Sequence, residues 1–178
     1  MAFTLYAAVV PSYLQILESM SRLVNKAQAF CQDQGLEPTT VLDARLADDM
    51  FPFAYQVKST AVHSIGAIEG IRRGVFSPDT AAPPMNFAGL AERVAQAKTQ
   101  LEALDVDEVE SFIGRDMRFQ FGNHRMDFTA EDFLLSFSQP NFYFHATTAY
   151  DILRMKGLAI GKRDFNGRVR QKPQTPPV

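Results

Sequence analysis

From Val10 to Cys31 the apolar side chains recur at three- and four-residue steps: Val10, Tyr13, Leu14, Leu17, Met20, Val24, Ala27 and Cys31. That period places them on one face of an amphipathic helix. Pro11 fits a first turn; were the helix to start as early as Leu5, Pro11 would kink it. Gly35 and Pro38 end it. Residues 40–43 then allow one or two helical turns. A second helix is predicted from Asp49, acting as N-cap, through Pro52 to about Arg73, with Met50, Ala54, Val57, Ala61, Ile65 and Ile68 as its stripe and Gly74 as its stop. Pro78, Pro83 and Pro84 make residues 77–86 a crossing loop. Asn86 is placed to cap a third helix, whose apolar face is Phe87, Leu90, Ala91, Val94, Ala97, Leu101 and Leu104.

Between Val109 and Phe128 the period changes to alternation. Met117, Phe119 and Phe121 precede Gly122-Asn123, and Met126 and Phe128 follow it, which predicts a two-residue hairpin with glycine at its first turn position. Thr129 caps a short helix over 130–137, Pro140 breaks it, and a last helix covers 141–156 up to Gly157. The expected fold is mainly α: one domain over residues 1–178, a four-helix bundle with crossover connections and a small β-hairpin between helices three and four. Residues 166–178, basic and closing on three prolines, are expected to form a flexible tail.

Composition narrows the function classes. The 178 residues are 46% hydrophobic and 21% charged, as in an ordinary globular domain, and the net charge of −2 argues against wrapping nucleic acid. A single cysteine forms no internal disulfide and no Cys-rich zinc cluster. With neither a signal-like start nor an 18-residue apolar run, the expectation is a cytoplasmic protein with no membrane partner. Phe is abundant, 15 residues against no Trp. Alternating Phe and Met in the hairpin cannot all be buried by a bundle unless something covers them, so the hairpin and the Phe-rich segment after it are a candidate homodimer interface. An acidic stretch from Glu102 to Glu110 and a basic C-terminal region from Arg154 to Lys172 suggest that the tail docks on the acidic stretch, within one chain or between two.

Few residues can carry chemistry. No Gly-x-Ser-x-Gly elbow and no phosphate-cradling loop occurs, and Gly66 and Gly70, inside the second helix, read as a close helix–helix approach. Cys31, near a helix C-terminus on the apolar stripe, reads as a small core residue. Three histidines remain. His124 reads as a solvent-facing strand residue, and His63 lies on the flank of the second helix's stripe. His145 shares a face with Phe142, Ala149 and Ile152 and must find a polar partner inside the bundle. It reads either as a histidine hydrogen-bonded to Tyr150, Tyr143 or Thr60, or as a ligand or general base. A metal role asks His63, His145 and a third group to meet, yet Asn141 and Ala149 stand where a second histidine on the last helix would be wanted.

Three segments go beyond periodicity: Asp49-Met50-Phe51-Pro52 with Gln56-Val57, the run Pro140-Asn141-Phe142-Tyr143-Phe144-His145-Ala146-Thr147-Thr148-Ala149-Tyr150-Asp151-Ile152-Leu153-Arg154, and Gly161-Lys162-Arg163-Asp164-Phe165. Together they resemble the bacterial domain-of-unknown-function family numbered nineteen-ninety-three, of the DinB/YfiT-like superfamily. The resemblance implies a crossover four-helix bundle, often dimeric. In the wider superfamily it implies a metal held by three histidines, and some members are thiol-dependent transferases or isomerases. By position, His63 matches the first ligand and His145 one of the later pair, with Asn141 or Ala149 replacing the other. The expectation is therefore a bundle with a degenerate site at His63, His145 and Asn141 and no resident cofactor, binding a small molecule or acting in interactions. The alternative is a Zn- or Ni-dependent enzyme using His63 and His145.

Overall fold

In the computed structural model, which describes residues 3–172, the chain forms a helical bundle with a three-stranded sheet against one end. Helix α1 (Leu5–Asp33) starts earlier than its clearest apolar repeat and runs through Pro11. The proline leaves the carbonyl of Ala7 without its helical donor, and exposure of Ala7 lets water take that place. Thr4 caps α1, its Oγ1 accepting from the Ala7 amide at 3.2 Å. Glu110 completes the end from across the fold, its carboxylate accepting from the amides of Tyr6 (2.7 Å) and Leu5 (3.2 Å).

After the single turn α2 (Thr39–Leu42), the expected second helix is two, α3 (Phe53–Val62) and α4 (Ile65–Arg73). It starts after Pro52 rather than at Asp49, and His63-Ser64 interrupts it. The interruption frees the His63 carbonyl, which accepts a hydrogen bond from Ser138 Oγ at 2.8 Å. Gly74, at φ +72°, stops α4, and Val75–Phe76 forms a strand, β1, that the sequence pattern did not reveal.

Asn86 caps α5 (Phe87–Glu102) as expected, accepting from Gly89 N at 2.7 Å. The acidic stretch is a short helix, α6 (Val106–Glu110), with Asp105 as its own cap. Strands β2 (Asp116–Phe121) and β3 (His124–Thr129) form the predicted hairpin, with Gly122 at φ +54° in the turn. Because β1 adds to β2 in parallel, the hairpin is part of a sheet in the order β1-β2-β3.

The helix after Thr129 does not break at Pro140. One α-turn, α7 (Ala130–Asp132), leads into a π-helical stretch, Phe133–Ser138, and on into α8 (Gln139–Met155). The wider π register and a side-chain bond from Asn141 Nδ2 to the Phe137 carbonyl (2.7 Å) carry the chain past the missing proline donor.

The core is one cluster. Helix α1 packs on α5, and α3 on α8. Cys31 is buried in it, as expected, and desolvation pushes its thiol pKa up. Part of the sheet's apolar face is covered from within the chain. Met117 and Phe119 are buried, and the Phe119 ring meets Phe76 (6.4 Å) and Phe137 (5.0 Å), while Phe133 stacks on Phe137 at 5.5 Å. Phe121, on the same face of β2, stays exposed, as do Leu135 and Phe144 in the segment that follows. Of the two glycines of α4, Gly70 does mark a close approach, but not to another helix. A Cβ on Gly70 would stand 3.0 Å from Phe76 Cβ and 3.2 Å from Met117 Cε, so the close approach is between helix and sheet.

The C-terminal region follows α1 rather than the acidic stretch. After α9 (Lys162–Asn166), the guanidinium of Arg170 donates to the Pro11 carbonyl (2.8 Å) and to Gln15 Oε1 (3.0 Å). Glu108 is taken by Arg72 and Glu110 by the start of α1. Residues 173–178 of the expected flexible tail lie outside the described residues.

Candidate functional site

Helices α3 and α8 bring two of the expected residues together. Gln56, on α3, and His63, the residue that ends it, both look onto His145 of α8. The imidazoles of His63 and His145 lie nearly parallel, with centroids 5.5 Å apart. His145 Nδ1 is 2.7 Å from Gln56 Oε1. None of the tyrosines or hydroxyls expected as its partner fills that role. The Gln56 amide is oriented from its other end, where Nε2 donates to the Phe51 carbonyl at 2.8 Å. Its oxygen therefore faces the ring, and His145 Nδ1 carries the proton and donates. Nε2 of His145 is left as the acceptor.

His63 differs. Its Nδ1 is fully buried with no hydrogen-bond partner. The ring is packed instead against aromatic faces, Phe76 at 5.4 Å and Phe137 at 6.2 Å. Both imidazoles are held neutral. Burial lowers the pKa of His63 to about 3, with the neighbouring His145 adding to the shift, and burial alone lowers His145 to about 4. Around His145 stand Tyr55 and Phe144, each edge-on to its ring, and Phe51 stacks on Tyr55. Phe51 and Phe144 are exposed, so the pair sits beneath an aromatic rim.

A metal shared by these rings would need bonds of about 2.0–2.1 Å to each and, for a tetrahedral site, at least one more protein ligand. Among the described residues no three His, Cys, Asp or Glu side chains converge as a ligand set. Asn141 lies one turn before His145, its Nδ2 donating to the Phe137 carbonyl at 2.7 Å, and its amide oxygen is a poor replacement for imidazole on zinc. Two imidazoles and an amide do not fit the three-histidine set implied by the resemblance. His124 is exposed on β3, where its ring meets that of Phe119 edge-on at 6.0 Å.

Comparison with known proteins agrees with this architecture. The family described as a domain of unknown function (DUF1993) matches residues 5–166. The chain belongs to it. The solved structures include a similar one, the crystal structure of a DinB family member protein from Shewanella denitrificans, 25% identical and superposing with a TM-score of 0.79 over 96% of each chain. No curated protein matches. Much of what identifies this DUF1993 chain is structural. Arg154 donates to the carbonyls of Ile160 (2.5 Å) and Leu158 (3.4 Å), closing the turn after α8. Asp164 accepts from the Gly161 amide and pairs with Lys26 at 2.6 Å. Gln56 sets the His145 tautomer. No helix among the described residues is long and apolar enough to cross a membrane.

The sequence reading missed Lys58. Its side chain, only 3% exposed, reaches from α3 under the crossing loop, where Nζ donates to the carbonyls of Asp79 (2.7 Å) and Ala81 and pairs with the Asp79 carboxylate at 3.2 Å. A lysine within the apolar pattern of a helix that precedes a proline-rich loop was the available signal.

Proposed function

We propose that this protein is a small-ligand-binding bundle whose superfamily metal site has degenerated, leaving two neutral histidines as a hydrogen-bonding pair. The observation that carries the reading is the buried, unpartnered His63 Nδ1 beside a His145 whose tautomer Gln56 fixes. A buried acceptor or donor left unpaired costs about 1–3 kcal/mol, so a ligand or water that reaches it has a free-energy advantage already prepared. With both rings uncharged at neutral pH, the pair presents imidazole nitrogens to an uncharged polar group, and Phe51, Tyr55 and Phe144 give a planar or apolar body something to lie on. Acid–base chemistry near pH 7 is disfavoured, because a ring that titrates three units away spends almost no time protonated.

The deciding experiment is metal analysis of protein purified without a histidine tag, alongside His145→Ala. The expected result is substoichiometric metal in both and lower stability in the variant. Stoichiometric zinc or nickel that His145→Ala releases would overturn this reading in favour of a metal-dependent enzyme using His63 and His145.

A further inference from the structure

The break at His63-Ser64 has a second effect on the molecule. Helix α3 lies against α5, but α4 holds α5 less closely, and a groove of about 260 Å³ opens between them. That is somewhat below the usual range of roughly 300–1,000 Å³ for drug-sized ligands, so it suits a smaller molecule. Its floor is apolar, formed by Ile65, Phe76 and Ala97. Gly66 lines it with no side chain, and a Cβ there would meet Val62 and Phe76 only at ordinary contact distances, 3.7 and 4.0 Å. The groove is thus space that a larger residue at 66 would fill without disturbing the fold.

The polar groups around it are unevenly committed. Asp79 is held by Lys58 and Arg93, and Glu69 by Arg72. Both lining carboxylates are therefore neutralised within the protein. Arg73 also lines the groove, is exposed, and among the described residues pairs with no carboxylate. Its neighbour Arg72 reaches Glu108 of α6, just past the end of α5, so this end of α4 lies beside the end of α5 that carries Gln100. The Asp79–Arg93 pair closes the opposite end.

We propose that this groove binds a small monocarboxylic acid with an apolar chain or ring. The carboxylate pairs with the Arg73 guanidinium, and the hydrocarbon lies along the part of the groove lined by Val62, Ile65 and Gly66. The site is separate from the histidine pair. The Phe76 ring, 5.4 Å from that of His63, forms the partition between them.

The test is a ¹⁵N–¹H NMR titration of the full chain with hexanoate, hexanol and inorganic phosphate. Hexanoate is expected to shift the amides of Gly66, Phe76 and Ala97 saturably, and to bind at least about tenfold more tightly than hexanol, as a charge-assisted bond to arginine implies. Arg73→Gln should weaken hexanoate by a similar factor. Gly66→Leu should abolish binding with the melting temperature retained. Absence of saturable shifts, equal binding of hexanol or phosphate, or unchanged affinity in Arg73→Gln would each overturn the proposal. Should Gly66→Leu fail to fold, Arg73→Gln decides.

Discussion

Lowering the pH from 7 to 5 acts first on the two buried imidazoles. In the unfolded chain a histidine titrates near 6.5, whereas His63 and His145 in the fold titrate near 3 and 4. Between these limits the unfolded state binds more protons than the native one, so stability is full above pH 6.5 and falls as the pH drops toward the folded values. Each pH unit below 6.5 removes about 1.4 kcal/mol per ring, so at pH 5 the two rings together have lost about 3–4 kcal/mol. Against a total of about 5–15 kcal/mol that is a large fraction. With a urea slope of about 2 kcal/mol per molar, the midpoint should fall by roughly 1.5–2 M. The carboxylates with lowered values, such as Glu18, Asp79 and Asp164, titrate in the unfolded chain near 4, so their contribution is lost mainly below this window. The assay is urea unfolding followed by circular dichroism at pH 7, 6 and 5 for the wild type, His63→Gln, His145→Gln and the double variant. Each single change should remove about half of the pH dependence, and the double variant should be nearly flat. A wild-type midpoint that is the same at pH 7 and 5, or a double variant that keeps the full slope, would refute the claim that these rings are buried and neutral.

Other outcomes follow from single contacts. Lys58→Met should destabilise by about 2–3 kcal/mol, because two loop carbonyls lose their donor while Asp79 keeps Arg93. Hydrogen exchange of residues 77–86 should quicken, and an unperturbed loop would show that Lys58 does not hold it. Glu110→Ala removes the acceptor for two amides at the start of α1 and should cost about 1–2 kcal/mol by urea unfolding, in contrast to Asp107→Ala on the same short helix. Gly89→Ala reverses the ordinary helix preference. The added Cβ would stand 2.8 Å from Pro84 Cβ, so a melting temperature below wild type is expected, and a rise would mean that the loop yields freely. Gly74→Ala, at φ +72° with open space around it, should cost about 1 kcal/mol from backbone strain alone.

The amphipathic stripes of α1 and α5, the Asn86 cap and the Gly122-Asn123 turn could be read residue by residue because each is settled by neighbours within four positions. Elsewhere a particular contact outweighed the general rule. Pro140 should end a helix, yet the π register and the Asn141 side chain carry α8 past it. His63-Ser64 looks helical in sequence, and the chain breaks there with the freed carbonyl satisfied by Ser138, 75 residues away. Strand β1 is two residues long and has no periodicity to detect; it exists because β2 is beside it.

The candidate site divides along the same line. The sequence by itself determined the family, the helical class and the shortage of histidine that leaves the superfamily's ligand set incomplete, since these depend only on which residues occur and at what spacing. Only the tertiary structure decided that His63 and His145 meet, that Gln56 fixes the tautomer of one while the other is left unpartnered, and that Phe119 of the hairpin packs on Phe76 and Phe137 of its own chain. Those outcomes depend on packing between helices far apart in sequence. The desolvation that keeps both rings neutral comes from that same packing.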